Sequence, residues 1–387
     1  MYDCIVVGAG PAGTTTATRL SKAGAQVLLV EKENLPRYKA CAGAVSGRAA
    51  NLLTINPATV AEDVIRKVKV CWGNRQADPI EYVSESPIAH LVMRSRFDLL
   101  LAEAAIDAGA TLHDGEKVEA LDLDHSDMTV RTNRSTYRAK TIVGADGALG
   151  ITARQSALYV PKSSGIAMEI EAQVPDSRLA EWRSTVLVTY GRPRHGYAWL
   201  FPKSGHLSLG IGSFVPRRSD LITNFNAFTS SLGINWRKED LRAHPIPLGG
   251  GKRQFRRPGL ILAGDAAGLG DPLSGEGIAH AVHSGILAAD SILNALETGD
   301  FSMDDYQNAI EAEINANLKI ARQLASVFYA MPKLFYRLFR TNREILTWYF
   351  ELVQGKRQYQ EVWELLGTIL SPQILTSIEG QAKENCP

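Results

Sequence analysis

Six consecutive residues near the start of the sequence have the types and spacing of a dinucleotide-binding turn. The stretch Gly8-Ala9-Gly10-Pro11-Ala12-Gly13 joins an apolar segment to a stretch with helical character. Such glycines allow a tight turn, close approach of a pyrophosphate and close packing of the helix on the strand. Glu31-Lys32 follows the next apolar segment, about 20 residues on, where a carboxylate accepts hydrogen bonds from both ribose hydroxyls and repels a 2′-phosphate. The predicted contacts with the dinucleotide are Gly8, Gly10, Pro11, Ala12, Gly13, Glu31 and Lys32.

Two later apolar segments also end in glycine and aspartate, at Asp146-Gly147 and at Gly264-Asp265. The ligand side of an open α/β sheet lies beyond the carboxyl ends of its strands, so Asp265 can accept a hydrogen bond from a ribitol hydroxyl of FAD. The turn 272–278 leads into a helix, whose N-terminal N–H groups suit the negative charge of a reduced flavin. A plain strand-to-helix turn is the alternative at each place, and it stays open for Asp146. The predicted flavin contacts are Asp146, Gly264, Asp265, Gly275, Gly277 and Ile278.

The elements that must position these motifs alternate between helical and strand patterns in an interleaved order. We predict an α/β fold, in which a Rossmann-like FAD-binding domain is combined with a mostly antiparallel substrate sheet and a C-terminal helical region. Residues 44–54 and 58–65 are predicted as short helices. The predicted boundaries are 1–65, 93–155 and 256–300 for the FAD-binding domain, 66–92 and 156–255 for the substrate-binding sheet, and 301–387 for the helical region.

Composition sets broader limits on the protein. Its 387 residues are 45% hydrophobic and 21% charged, which is typical of a globular protein of two or three domains. A net charge of +1 gives no field that would recruit nucleic acid. The first apolar run is the predicted first strand rather than the core of a leader, and no uncharged apolar run approaches the ~20 residues that cross a bilayer. The cysteines Cys4, Cys41, Cys71 and Cys386 lack disulfide or zinc spacing, so we expect reduced thiols, no metal and a cytoplasmic location.

Together, these motifs resemble a known group of flavoproteins, the para-hydroxybenzoate hydroxylase superfamily. The resemblance rests on the residues above together with Arg96 in Arg96-Phe97-Asp98. Within that superfamily the sequence is most similar to the geranylgeranyl reductase family, through the segments 38–43, 197–202 and 274–278. One departure is Ala42, because the family usually has two glycines after the cysteine.

The resemblance implies that reduced FAD reduces isolated double bonds of a geranylgeranyl chain, carried on a diphosphate, a chlorophyll precursor, an ether lipid or a quinone. It implies that Glu31 and Arg96 hold the adenine-ribose half of FAD, and that Asp265 and residues 275–278 hold the flavin half. The loop with Cys41, Ala42 and Gly43 would approach the flavin ring. Because no second glycine fingerprint is visible, the external electron donor binds transiently, and NAD(P)H and ferredoxin both stay open.

Tyr197, Trp199 and Phe201 occupy alternate positions of a strand and therefore project from one face, ahead of Pro202. An aromatic wall of this kind fits a polyprenyl tail, and the resemblance favours that role over ordinary core packing. Cys41 could contact the alkene or help deliver a proton, or could be a small buried apolar residue.

Basic and aromatic side chains alternate in the C-terminal region. Lys333, Arg337 and Arg340 share one helical face, and Phe335 and Phe339 a neighbouring one. The region predicts either peripheral contact with a membrane surface or a helix that closes the substrate cavity with a solvated basic face. Two rival functions also stay open, an FAD-dependent monooxygenase or hydroxylase of an apolar substrate, and a prenyl-lipid binding protein without redox chemistry.

Overall fold

The structure, a computed structural model, describes residues 1–73, 75–123, 127–158, 164–214 and 220–369. The last part of the predicted helical region, with Cys386, lies outside the described residues. The strands are β1 (Tyr2–Val7), β2 (Val27–Val30), β3 (Ala44–Ser46), β4 (Ala61–Ile65), β5 (Lys67–Trp72), β6 (Arg75–Val83), β7 (Ala89–Val92), β8 (Thr111–His113), β9 (Val118–Asp122), β10 (Met128–Thr132), β11 (Thr136–Gly144), β12 (Ser164–Ala172), β13 (Thr185–Tyr190), β14 (Gly196–Pro202), β15 (Leu207–Ser213), β16 (Arg242–Pro247), β17 (Arg256–Arg257) and β18 (Leu260–Leu262).

The helices range from a single turn to about six turns in length. The α-helices are α1 (Pro11–Lys22), α2 (Gly47–Leu52), α3 (Arg94–Asp107), α4 (Thr152–Gln155), α5 (Asp176–Trp182), α6 (Leu221–Ser231), α7 (Ile278–Thr298), α8 (Asp304–Ala309), α9 (Ala316–Ala330), α10 (Pro332–Thr341), α11 (Arg343–Val353) and α12 (Tyr359–Ile369). Short 3₁₀ turns lie at Pro57–Val60, Lys238–Asp240 and Gly264–Ala266, and a π-helical stretch spans Ile310–Asn315.

The first sheet brings the glycine motifs to one edge. Its main order is β17-β18-β11-β1-β2-β8, and the pairs β1–β2, β1–β11 and β11–β18 are parallel. The short strands β2 and β18 are apolar and buried along their whole length, as a sheet covered on both faces requires. Since β1, β11 and β18 run in the same direction, the turns after their carboxyl ends lie next to each other.

Helices α1 and α7 cover this sheet side by side at very short range. Thr16 Oγ1 donates a hydrogen bond to the Gly285 carbonyl oxygen at 3.0 Å. A Cβ on Gly285 would lie 2.5 Å from the Ala12 carbonyl oxygen. The absence of a side chain at this point therefore lets α7 approach the N-terminal turn of α1, which brings the loop before α7 close to the glycine turn.

The second sheet has the order β16-β12-β15-β14-β13-β5-β6 and is antiparallel except for the pair β13–β5. It combines strands from both predicted substrate segments. β7 instead lies between β3 and β4 in a separate three-stranded sheet. The predicted helix at 58–65 is wrong in its second half, because β4 pairs with β7 and buries Ile65.

The C-terminal helices fold back over the second sheet. Phe335 and Phe339 of α10 are buried, whereas Lys333, Arg337 and Arg340 on the same helix are exposed. The phenylalanines pack against Phe328 of α9, with ring centroids 5.0 and 6.1 Å apart. The aromatic face of α10 is thus occupied inside the protein, and its basic face is solvated. Among the described helices, none combines the length and apolar character needed to cross a membrane.

Candidate cofactor and substrate cavity

One cavity of about 1210 Å³ extends from the glycine turn after β1 to the aromatic side chains of β14. The loop 37–44, the turn 274–278 and the start of α7 line its middle part. Its volume exceeds the roughly 300–1,000 Å³ of most small-molecule pockets. The cavity can therefore take an extended dinucleotide and leave space for a second molecule at the aromatic end.

The glycine turn has the close contacts that its sequence predicts. Gly8 has a φ of +104°, and a Cβ on Gly13 would lie 1.9 Å from the Gly8 carbonyl oxygen. A Cβ on Gly10 would instead face open space, with its nearest neighbours 4.0 Å away at the guanidinium nitrogens of Arg37 and Arg94. The turn therefore offers backbone N–H groups and two cations to one part of the cavity, with Pro11 and Ala12 beside it.

Glu31 stands at the end of β2 and is buried against the glycine turn. Its Oε2 accepts a hydrogen bond from the Ala9 backbone N–H at 2.9 Å, and Oε1 accepts one from the Glu33 N–H at 3.2 Å. Both Glu31 and Lys32 line the cavity. The carboxylate thus fixes the turn and faces the predicted ribose position at the same time.

The basic residue beside the turn is Arg94, not the predicted Arg96. The Arg96 side chain is 61% exposed, pairs with Glu62 at 3.2 Å and does not line the cavity. Arg94 lies two residues earlier on α3 and points to the opposite side. Its guanidinium donates two hydrogen bonds to Asp98, at 2.7 and 2.8 Å, and Arg37 donates a third at 2.8 Å. The buried Asp98 thereby holds two cations at the cavity wall.

The two predicted aspartates differ in what their side chains do. The Asp146 carboxylate accepts hydrogen bonds from the backbone N–H groups of Ile151 and Thr152 and from the Thr152 hydroxyl, so it caps α4. Burial raises its pKa, and Asp146 lines the cavity together with the turn that follows it. Asp265 also lines the cavity, with Oδ2 3.5 Å from the Lys39 ammonium nitrogen. The plain-turn interpretation therefore fits the Asp146 side chain, and the ligand interpretation fits Asp265.

The loop carrying Cys41, Ala42 and Gly43 crosses the middle of the cavity. The Lys203 ammonium donates to the Ala42 carbonyl oxygen at 2.8 Å and to the Val92 carbonyl oxygen at 2.9 Å. Gly43 has a φ of +72°, and a Cβ there would lie 2.0 Å from the Val92 carbonyl oxygen. Cys41 is a half-buried free thiol that lines the cavity. A buried lysine and a glycine thus hold this loop in place.

Glu169 on β12 supports the same loop, although it was not among the predicted site residues. Its Oε1 accepts hydrogen bonds from the Cys41 backbone N–H at 2.7 Å and from the Tyr38 hydroxyl at 3.0 Å. Burial, and then the nearby Glu171, raise the pKa of Glu169 to about 7. Glu169 therefore places on the cavity wall a carboxyl that can hold a proton near neutral pH.

Tyr197, Trp199 and Phe201 line the cavity as the alternation of β14 predicts, whereas Pro202 does not. The Tyr197–Trp199 and Trp199–Phe201 ring centroids are 5.9 and 6.4 Å apart. Tyr349 on α11 completes the apolar end from the opposite side, because the C-terminal helices return over the sheet. The sequence pattern left cavity closure by the C-terminal helices as one of two alternatives, with Tyr349 among their aromatic residues but with no role assigned to it.

The turn before α7 closes the cavity from the side of the first sheet. Gly275 has a φ of +74°, and a Cβ there would lie 3.1 Å from the Phe214 ring. Gly277 precedes the first residue of α7, Ile278, and both line the cavity. Glu276 in the same turn bonds to the Ser46 hydroxyl, and burial raises its pKa to about 7.

Comparison with known proteins identifies the dinucleotide. A sequence profile of the FAD binding domain family matches residues 1–224, more than half of the chain. The chain belongs to this FAD-binding family. It is 30% identical over 339 residues to an uncharacterized protein of Methanosarcina barkeri, covering 87% of this chain and 86% of the relative. It is 28% identical over 334 residues to the digeranylgeranylglycerophospholipid reductase of Methanosarcina acetivorans, covering 80% of each chain.

Two solved structures agree with the fold. A geranylgeranyl bacteriochlorophyll reductase-like protein of Thermoplasma acidophilum superposes with a TM-score of 0.72 and 25% identity, over 84% of this chain and 87% of that one. The flavin-dependent brominase Bmp2 superposes with a TM-score of 0.71 and 20% identity, over 92% and 93% of the two chains, which shows the fold alone. The chain is an FAD-dependent oxidoreductase that is similar to geranylgeranyl reductases.

Three observations indicate that the residues of this chain fit FAD. The space at Gly10 is open beside two guanidinium groups, where a pyrophosphate would bind, and Glu31 faces the cavity at the end of β2. In addition, one continuous cavity joins this region to Asp265 and the N-terminus of α7. No cluster of histidine, cysteine and carboxylate side chains suited to a metal ion occurs within the described ranges.

Proposed function

We propose that the protein reduces isolated carbon–carbon double bonds in a geranylgeranyl chain, with hydride from reduced FAD. The observation that carries this proposal is the single cavity, whose dinucleotide-binding end opens directly onto an aromatic and aliphatic wall. Apolar rings bind a polyprenyl tail favourably, because they offer a large apolar area and lose little rotamer entropy. The names of the reductase relatives support the same class of substrate.

In this proposal the residues of the cavity divide into two groups. The backbone of Gly8, Gly10 and Pro11 with the arginines Arg37 and Arg94 would hold the pyrophosphate of FAD, and Glu31 the ribose. Asp265 and the turn 275–278 would hold the flavin half, where N–H groups at the start of α7 stabilise negative charge. Bound FAD, once reduced, supplies the hydride, and either NAD(P)H or ferredoxin supplies its electrons.

The aromatic end would bind the prenyl chain and exclude water. Trp199 and Tyr197 stand on one side of this end and Tyr349 on the other, so an extended chain would lie between rings. The Tyr197 hydroxyl donates to the Ser274 carbonyl oxygen, which joins the aromatic wall to the flavin turn. This hydrogen bond would keep the alkene next to the reduced flavin, at the distance that hydride transfer requires. Cys41 would border the reacting carbons from the opposite loop.

Product analysis under anaerobic conditions tests the proposal. Dithionite-reduced protein is offered geranylgeranyl diphosphate, geranylgeranyl ether lipids and a geranylgeranylated chlorophyll, and the products are examined by mass spectrometry. The proposal predicts a gain of two hydrogen atoms per reduced bond with at least one of these substrates. Oxygen in the product and a strict need for dioxygen would instead favour a hydroxylase. A colourless protein that takes up no FAD would favour a prenyl-lipid binding protein.

A further inference from the structure

Glu169 lies in one row of residues that crosses the second sheet to the aromatic wall. It pairs in register with Gly210 of β15, and Gly210 pairs with Trp199 of β14. Residues directly opposite each other in antiparallel strands share a face, so the carboxyl and the indole lie on the same side of the sheet. A Cβ on Gly210 would lie 2.0 Å from the Trp199 ring. The indole therefore extends across Gly210 towards the carboxyl.

The Glu169 carboxyl connects this apolar face with solvent. The residue is 3% exposed, whereas Tyr38, whose hydroxyl donates to it, is 48% exposed. Oε1 accepts both the Tyr38 and the Cys41 hydrogen bonds, and no described residue donates one to Oε2. A hydrogen-bonded path thus runs from the surface, through a tyrosine hydroxyl, to a carboxyl on the cavity wall.

Several charged groups surround this carboxyl. Glu171 lies two residues further along β12 and pairs with His206 at 2.9 Å. Lys203 is buried at the end of β14, and Arg242 of β16 is the register partner of Glu169 on the other side. Burial and the negative charge of Glu171 raise the pKa of Glu169, while Lys203 and the two hydrogen-bond donors lower it. The balance leaves a carboxyl that is partly protonated near neutral pH.

We propose that Glu169 is the acid that protonates the alkene, and that Tyr38 returns a proton to it from solvent. This inference rests on the proposed function. One alkene carbon accepts hydride with its electron pair from reduced FAD while the π bond breaks, and the other carbon accepts the proton of the Glu169 carboxyl. Two C–H bonds form, the alkene gains two electrons and FAD loses two. The resulting carboxylate then takes the Tyr38 hydroxyl proton while that hydroxyl accepts a hydronium proton from solvent in the same step, so that no tyrosinate forms.

A purely structural role for Glu169 makes a different prediction. The carboxyl also holds the Cys41 loop, so its loss could displace that loop without any part in proton transfer. Glu169→Gln separates the two roles, because an amide oxygen still accepts hydrogen bonds from the Cys41 N–H and the Tyr38 hydroxyl but the side chain has no acidic proton. Glu181 on α5 is exposed, and Glu181→Gln is the matched control.

The test is a single turnover of the FAD-loaded, pre-reduced protein with geranylgeranyl diphosphate under anaerobic conditions. Removal of a general acid costs about 10²–10⁴-fold in rate, so we expect a loss of this size in Glu169→Gln, with FAD affinity unchanged and Glu181→Gln equal to wild type. A rate for Glu169→Gln within threefold of wild type overturns the proposal. If wild type itself forms no reduced product, the proposed function fails and the inference with it.

A second variant and a second measurement test the acid without relying on Glu169→Gln alone. Tyr38→Phe removes a hydrogen bond that lowers the pKa of Glu169, so the pH at which single-turnover rate falls should move upward. An unchanged or lower midpoint contradicts the assignment. Glu276 also has a pKa of about 7, so the infrared titration is done without substrate on a Glu276→Gln background. It should show a protonated-carboxyl band that disappears near pH 7 and that is missing when Glu169→Gln is added. If that band persists in Glu169→Gln, another group is the acid.

Discussion

Replacing Asp98 by asparagine should destabilise the protein strongly, because one fully buried carboxylate binds two arginines at the cavity wall. Asp98 is 0% exposed and accepts three hydrogen bonds, two from Arg94 and one from Arg37, at 2.7 to 2.8 Å. An amide at this position turns an N–H group towards guanidinium N–H groups. It removes the carboxylate that pairs with Arg94 and leaves Arg37 with its 3.4 Å contact to Glu31. Removing one partner of a buried ion pair costs about 3–5 kcal/mol, and we expect a loss of this size in the free energy of unfolding.

The pH dependence of this loss has a defined sign. Burial alone would raise the pKa of Asp98, but the guanidinium groups outweigh it and hold that pKa below its ordinary value. A carboxyl whose pKa is lower in the folded than in the unfolded protein stabilises the fold above its unfolded pKa, about 3.9. This contribution disappears as pH falls through the folded pKa. The difference between wild type and Asp98→Asn should therefore be constant from pH 6 to 8 and shrink below about pH 4.

Urea unfolding of the FAD-free proteins, followed by tryptophan fluorescence, measures the effect as a shift of the midpoint at constant m-value. The matched control is Asp290→Asn, since Asp290 forms one 2.7 Å ion pair with Arg19 at the surface. Exposed pairs contribute about 0–1 kcal/mol, so the control should stay close to wild type. Because the arginines lie beside Gly10, FAD affinity should fall about tenfold in Asp98→Asn, which corresponds to 1.4 kcal/mol. Equal, small shifts in both variants would refute the role of Asp98.

Three further predictions concern the turn, the flavin loop and the C-terminal helices. Gly13→Ala should abolish FAD binding, because its Cβ would lie 1.9 Å from a carbonyl oxygen of the glycine turn, whereas Gly205→Ala, with no atom within 4 Å, should bind FAD normally in a fluorescence titration. Since burial raises the pKa of Glu276 to about 7, its folded pKa exceeds its unfolded one, and the same holds for Glu169. Wild-type stability should therefore fall from pH 5 to 8, and Glu276→Gln should make that part of the melting-temperature profile less steep, with Glu169 accounting for the remaining slope. Tyr359→Phe removes the hydrogen bond from α12 to the buried Asp271 and should cost about 1–3 kcal/mol in urea unfolding. A melting profile that stays as steep in Glu276→Gln as in wild type, or an unfolding midpoint unchanged in Tyr359→Phe, would count against the respective contact.

The parts of the site that depend on local pattern were predictable from the sequence. A glycine-rich turn of this spacing between a strand and a helix is typical of a dinucleotide-binding site. Parallel strands also place their carboxyl ends at one edge of the sheet. Gly10, Glu31 and Asp265 therefore line the same cavity. The alternation of β14 likewise predicts that Trp199 and its neighbours share a face. These inferences need only the period of a strand and the direction of its chain.

The parts that depend on long-range packing were not predictable. Arg94 and Arg96 differ by two positions on one helix, and only the packing of α3 decides which of them faces the cavity. The position of Glu169 depends on the register between β12 and β15, and that of Tyr349 on how the C-terminal helices return over the sheet. Two carboxylates at alternate positions of a largely apolar strand, Glu169 and Glu171, were the available signal, since a carboxyl on such a face needs a partner or a function.

The most direct test of the proposed function is whether a prenyl alkene reoxidises the reduced FAD of the protein in the absence of oxygen. The FAD-loaded protein is reduced, freed of excess reductant and mixed anaerobically with geranylgeranyl diphosphate in a stopped-flow spectrometer. We expect the absorbance of oxidised flavin to return at a rate that rises with the substrate concentration, in parallel with the loss of a double bond from the substrate. If the flavin stays reduced until air is admitted, with every prenyl substrate offered, this result contradicts the proposed function.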